Sequence, residues 1–338
     1  ETEHYLLLTI HQTITDSWSL KLFFKELAEH YALSVSNGRP SLTPLRIEYG
    51  DYAAWQREWL HGEFLESQMN YWRKELAGEL PEIDLPTDLP RPQIQTFIAD
   101  DQVHHLPSDL SAALREFAKE KGTTVFMTLL AAYQTFLSRI TAQDEVIVGT
   151  AIAGRNKTEL ENLLGFFVNT AAMRASLLSN PTFTQLVAKT REKTLAAYQH
   201  QFAPFEKLVE ELQPVRTNKR SPIFQVWFGA WENLLESRAG NLTITPLRVF
   251  MPGAQFELSL FVIDRPEIEL VWEYRADLFL STTIARFRAQ FEALLRRLLR
   301  NPETPLQTVF AALNDEEFQD RIREQSRLRE GLRSVKRK

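Results

Sequence analysis

Four prolines fall within residues 80–92, at Pro81, Pro86, Pro90 and Pro92, and no regular element tolerates that density. Each proline removes a backbone donor and biases the residue before it away from helical angles, so helix and strand ladder are both closed to this stretch. The segment reads as an extended crossing, and regular structure has to be sought on either side of it.

On its N-terminal side, residues 5–10 form a short apolar, β-favouring run of the kind a buried strand shows. From 18 to 33, Leu20, Phe23, Phe24, Leu27 and Tyr31 recur at three- and four-residue steps, with Lys21, Lys25, Glu26 and Glu29 on the other side. That spacing predicts an amphipathic helix, preceded by the good N-cap residues Asp16 and Ser17 and ending near Asn37, Gly38, Arg39 and Pro40. A second helical stretch over 52–72 carries Trp55, Trp59, Phe64 and Trp72 on a packed face.

Beyond the prolines, a strand is predicted over 101–106, then a helix capped by Ser108 and running to about 121. A long apolar helix over 124–140 precedes a strand over 145–149, and the turn at 165–170 leads into a strand ending at Arg174. A helix over 183–200, β-rich runs at 224–231 and 256–264, a strand over 267–274 and a helix over 282–300 complete the pattern. The fold class is therefore α/β, with mixed sheets covered by helices. No repeat of fixed period occurs.

With 338 residues, 44% of them hydrophobic, the chain can build two domains with real cores. A net charge of -5 suggests no nucleic acid as partner. The absence of cysteine removes disulfides, thiolate nucleophiles and thiolate metal sites, and fits a cytoplasmic setting. No apolar run is long enough to span a membrane and no secretory leader opens the chain, which begins inside the expected first strand.

The chemistry concentrates at a strand-to-helix turn, His11-Gln12-Thr13-Ile14-Thr15-Asp16-Ser17, where an acyl-transfer site would sit. Gln12 stands where that chemistry would want a second imidazole, and an amide can orient a group but cannot titrate near neutral pH. His104-His105-Leu106-Pro107-Ser108-Asp109 fits a His-His-x-x-x-Asp pattern better, but its context is a strand followed by a helix start. His104 and His105 make no metal site either, because neighbours on a strand point to opposite faces. No metal is expected.

Eight separated motifs, in order, make the chain resemble the condensation domains of non-ribosomal peptide synthetases. Residues 11–17 correspond to the family's His-His-x-x-x-Asp-Gly signature, and Asp51-Tyr52-Ala53-Ala54-Trp55-Gln56-Arg57 resembles its Asp-Tyr-Ala-x-Trp-Gln motif. Pro86-Thr87-Asp88 with Arg91-Pro92, Gly149-Thr150-Ala151-Ile152-Ala153-Gly154-Arg155-Asn156, and residues 165–170 follow. His200-Gln201-Phe202-Ala203-Pro204-Phe205-Glu206, Arg220-Ser221-Pro222-Ile223-Phe224-Gln225 and Tyr274-Arg275-Ala276-Asp277-Leu278-Phe279 complete the set.

The resemblance implies a chloramphenicol-acetyltransferase-like fold of two lobes, the first only partly present because the family has a long stretch before the signature. Residues 1–48 would be the end of the first lobe, 49–313 the second lobe with its floor loop near 149–156, and 314–338 a basic tail or linker. It implies amide formation between a donor thioester and an aminoacyl acceptor, both presented on phosphopantetheine arms of upstream and downstream peptidyl carrier proteins, with no cofactor bound. Adjacent synthetase domains or a tailoring enzyme are further implied partners, the latter for a non-catalytic docking variant. By position, Gln12 replaces the catalytic His, His11 packs the turn, and Asp16 pairs with Arg155 across the lobes. Ser17 replaces a glycine, while Trp18, Phe167, Val168 and Asn169 would line the substrate tunnel.

Overall fold

The computed structural model describes residues 3–38, 44–213, 220–231, 236–247 and 253–335, with the backbone alone at 321 and 324–335. A short 3₁₀ turn, Gln12–Ile14, leads into α1 (Ser17–Val35), α2 (Tyr49–Trp59) and α3 (Gly62–Glu75). After the proline segment come β1 (Ala99–His105), α4 (Ser108–Glu120), α5 (Val125–Thr141), β2 (Glu145–Ile152), β3 (Asn169–Ser176), α6 (Phe183–Gln199) and α7 (Phe205–Leu212). The remainder is β4 (Val226–Ala230), the hairpin β5 (Ser237–Ala239) and β6 (Leu242–Ile244), β7 (Leu258–Ile263), β8 (Glu269–Arg275), α8 (Ser281–Arg300) and α9 (Leu306–Val335).

Six strands form one mixed sheet in the order β1-β8-β7-β4-β2-β3. Among the described residues, its parallel pairings are those of β4 with β2 and with β7, and the other neighbours run antiparallel. The α/β expectation holds, because α5, with every residue from Met127 to Ser138 buried, packs against β2 and β4 as well as α4, α6 and α8. Thr124 starts it by accepting the Met127 amide at 3.1 Å. Trp272 on β8 meets Tyr133, Phe136 and Phe291 edge-on, which ties the sheet to α5 and α8.

Several expectations are corrected. Residues 5–10 form no strand, and Tyr5, Leu6 and Leu7 are 77%, 69% and 81% exposed. Their pattern is β-favouring, but a strand exists only where another strand takes its hydrogen bonds, and no described residue pairs with this run. The single helix expected over 52–72 is two, broken at Leu60 and His61 with Gly62 in the left-handed region at φ 59°. The aromatic face survives the break. Trp55 stacks on Trp59 at 4.9 Å, and Trp59 reaches Phe64 at 4.1 Å and Phe202 at 4.7 Å.

Ser108 does not cap α4; Pro107 holds the N-cap position with its ψ at 148°, which turns the chain one residue earlier and makes Ser108 the first helical residue. The three-residue strands of the β5–β6 hairpin are too short to leave a period-2 signal and were not anticipated. The stretch expected as a tail from 314 continues the backbone of α9 to Val335. Arg39 and Pro40, at the expected end of the first helix, and Lys336, Arg337 and Lys338 lie outside the described residues.

His104 and His105 part as strand neighbours do, His104 inward and His105 exposed. His104 Nε2 lies 3.0 Å from Glu292 on α8, an acceptor for a neutral ring protonated at that nitrogen, while its buried Nδ1 has no partner. Burial pulls the imidazole below its usual 6.5, helped by Arg288 and His105 and opposed by Glu292. The unfolded chain therefore binds more protons than the folded one as pH falls below 6.5, and stability contributed here is complete above 6.5 and lost below it. Unfolding free energies from urea melts between pH 7 and pH 5 should fall more steeply for the native protein than for His104→Gln, by at most about 1.4 kcal/mol per pH unit. Parallel slopes would remove His104 as the cause.

Candidate active site

The turn from His11 to Ser19 is built by local hydrogen bonds before anything distant touches it. Asp16 is extended, at φ -131° and ψ 176°, and its Oδ1 accepts the Ser19 amide at 2.8 Å, so the carboxylate caps α1. The His11 carbonyl accepts the Ile14 amide at 3.2 Å and its Nδ1 accepts the Thr13 amide at 3.2 Å. A backbone donor at Nδ1 leaves the proton of a neutral ring on Nε2. Gln12 and Ser17 lie exposed on the same turn.

Arg155, in the segment after β2, fastens this turn to the sheet domain. Its Nη2 reaches Asp16 Oδ1 at 3.2 Å and Oδ2 at 3.4 Å, with the two side chains 1% and 2% exposed. Its Nη1 donates to the carbonyls of Leu160 and Leu163, and its guanidinium lies 4.0 Å from the centre of the Phe167 ring. Burial pushes the guanidinium below its ordinary value and the Asp16 carboxylate opposes that shift. A charge so enclosed depends on its counter-charge.

The loop between β2 and β3 is held largely through its backbone. Trp18 Nε1 donates to the Glu161 carbonyl at 2.9 Å, and Tyr49 on α2 donates to the Phe166 carbonyl at 2.8 Å. The Ser19 hydroxyl lies 2.8 Å from the Gly165 carbonyl and 3.0 Å from its amide, while the Phe167 amide donates to Asp16 Oδ2 at 3.1 Å. Burial raises the pKa of Tyr49, with Asp16 adding to the shift, so its hydroxyl stays a donor at neutral pH.

Gly154 is the residue this approach demands. Its φ is 68° and a Cβ there would lie 2.1 Å from the Phe167 carbonyl oxygen. Gly154→Ala should cost at least about 1–2 kcal/mol from the left-handed backbone alone, and more for the displaced carbonyl, measured as a lower urea midpoint. An unchanged midpoint would show that the loop relaxes freely.

Asp16, Trp18, Arg155 and Phe167 thus come together at one junction. Val168 is half-buried beside it, and the side-chain amide of Asn169 donates to the carbonyls of Gln201 at 2.8 Å and Ala203 at 2.7 Å. His11, Gln12 and Ser17 stay on the open side of the turn. Ser19 and Tyr49 were missed. Ser19 left a trace, a small hydroxyl three residues after a helix cap, but its partners lie 136 and 146 residues away. No group of three or more His, Cys, Asp or Glu side chains able to hold a metal occurs among the described residues. Nor is any helix among them long and apolar enough to cross a membrane.

A mixed sheet under a helical layer, carrying a His-and-Asp turn latched to the loop beyond β2, is the chloramphenicol-acetyltransferase-like architecture. Residues 1–320 match the Condensation domain family, and the chain belongs to it. It is 40% identical over 319 residues to Malpinin synthetase of Mortierella alpina, covering 94% of this chain and 4% of that protein. To Tyrocidine synthase 3 of Brevibacillus parabrevis it is 36% identical over 305 residues, which is 90% of this chain and 5% of the relative. The chain therefore spans a small part of these curated relatives. Among solved structures, the complex of the X-domain and OxyB from teicoplanin biosynthesis superposes with a TM-score of 0.77 at 27% identity, over 89% of this chain and 68% of that one.

Proposed function

We propose that this chain is the condensation domain of a non-ribosomal peptide synthetase, in which a carrier-bound aminoacyl amine attacks a carrier-bound acyl or peptidyl thioester. The amine nitrogen bonds to the thioester carbonyl carbon, the phosphopantetheine thiol leaves, and the amine proton has to pass to a base or to solvent. What supports the reading is the buried Asp16–Arg155 pair, which holds the His11–Gln12 turn against the loop of the sheet domain. On this reading residues 1–48 end the first lobe and 49–313 form the second, with Trp18, Phe167 and Val168 near the tunnel between them. Holding the amine against an already activated thioester carries much of such a reaction, and a placed general base adds to it.

Gln12 favours a second reading, a condensation-like domain that docks carrier proteins or recruits a tailoring enzyme without forming the amide itself. The test is single-turnover amide formation by the synthetase that carries this chain, with both carriers loaded and the products read by intact mass. Amide above the uncatalysed background, from the native form or from Gln12→His, supports condensation. No amide from either form, with carrier binding retained, supports docking.

A further inference from the structure

The Asp16–Arg155 pair leaves one degree of freedom unfixed. An arginine that meets a carboxylate fork to fork fixes the plane as well as the distance. Here only Nη2 touches Asp16, at 3.2 and 3.4 Å; Nη1 is spent on the carbonyls of Leu160 and Leu163, and Nε is buried without a partner. Contact through one nitrogen is a pivot. It holds the turn close without deciding how the turn is rotated.

Ser19 supplies the second point. Its hydroxyl is positioned to donate to the Gly165 carbonyl at 2.8 Å, and it accepts the Gly165 amide at 3.0 Å and Arg155 Nη2 at 2.8 Å. One donor and two lone pairs are all a hydroxyl has, so the group is saturated. The residue is 1% exposed, which leaves no room for water to take over those bonds. Its own amide is held by Asp16 Oδ1, so Asp16 and Ser19 move as one rigid cap. Carboxylate and hydroxyl then grip the loop at two separate places, Phe167 and Gly165. The space at Gly165 is closed by the Tyr49 ring, 2.1 Å from where a Cβ would stand, so the loop cannot shift toward α2.

We infer that Ser19 is the positioning residue of this turn: its hydroxyl, bridging Arg155 and the Gly165 backbone, sets the orientation in which residue 12 is presented. The effect on rate rests on the condensation reading above; the effect on the loop does not. Ser19→Ala keeps the ion pair, the Phe167 amide bond to Asp16 and the Trp18–Glu161 bond but removes the grip at Gly165, and a misplacement on the order of 1 Å at a reacting group costs roughly 100-fold.

The experiment compares Ser19→Ala and the near-isosteric, weaker hydrogen-bonding Ser19→Cys with the parent, each in the whole synthetase and in the Gln12→His background. Amide hydrogen exchange at Gly165 should speed up by at least about tenfold in Ser19→Ala, with Ser19→Cys between the two and the urea midpoint of the sheet nearly unchanged. Single-turnover amide formation per folded molecule should fall by about 10–100-fold with the acceptor KM unaltered. Unchanged Gly165 protection, or a rate per folded molecule that stays constant while the midpoint drops, would overturn the assignment. If neither the native form nor Gln12→His makes amide, the condensation reading fails while the exchange measurement still decides the role of Ser19. Should Ser19→Ala not fold, Ser19→Cys carries the same comparison.

Discussion

Asp16→Asn is expected to let go of α1 rather than to unfold the protein. With Oδ1 still accepting the Ser19 amide, the new side-chain nitrogen takes the place of Oδ2, where it meets the Phe167 amide and Arg155 Nη2, donor against donor. The Arg155 guanidinium, 1% exposed, is left without its counter-charge. Breaking one side of a buried pair costs about 3–5 kcal/mol. Beyond the hydrogen bonds of Ser19 and Trp18 and the contact of α1 with β5, the segment has few anchors, because only Ser19 and Ala28 of α1 are buried. The loss should therefore raise the population of a released N-terminal segment by roughly two to three and a half powers of ten. Limited proteolysis within residues 20–35 should become fast, and amide exchange there should follow, while the core signal from Trp272 melts at nearly the parental urea concentration. Parental cleavage rates in Asp16→Asn would mean that the pair contributes nothing to holding the turn.

Gln12→His should raise single-turnover amide formation by about two to four orders of magnitude, the usual worth of a placed general base. On the condensation reading, the side-chain oxygen of Gln12 accepts a hydrogen bond from the attacking amine, which orients the nitrogen lone pair. As the C–N bond forms, the nitrogen becomes acidic and its proton must leave, and an amide cannot take it. An imidazole at that position can. A second signature belongs with the rate: the histidine variant should gain a rise with pH, with an apparent pKa in the imidazole range, that the native chain lacks. A rate and pH profile unchanged by the substitution would show that the amine is deprotonated elsewhere, and that residue 12 serves orientation alone.

How legible each part was follows from the range of the forces involved. The helix α5 was readable as a long apolar run and the strands β2 and β8 as short β-favouring ones, because composition of that kind acts within a few residues. The absent strand at 5–10 was misread for the opposite reason: its residues favour extension, but its existence depends on a partner strand. The break between α2 and α3 was hidden because the tryptophan spacing continues across it; the visible hint, Gly62, is a weak one inside a helical pattern. At the site, Asp16 and Arg155 could be paired through the family resemblance, whereas Ser19 and Tyr49 could not. Both act on loop carbonyls, and a carbonyl has no letter in a sequence.

The separation of the latch in the chain has a temporal side. Asp16 and Arg155 are 139 residues apart, and Asp16 and the Phe167 amide 151. Closing a loop of that size costs about 4 kcal/mol in chain entropy, close to the worth of the pair itself, so the latch cannot lead folding and closes only on a sheet domain already formed. On a ribosome adding about 5–20 residues per second, α1 waits roughly 7–28 s before its counterpart has even been synthesised. The turn that carries residue 12 is thus made before the loop it latches to, and is fixed in place only after that loop has folded.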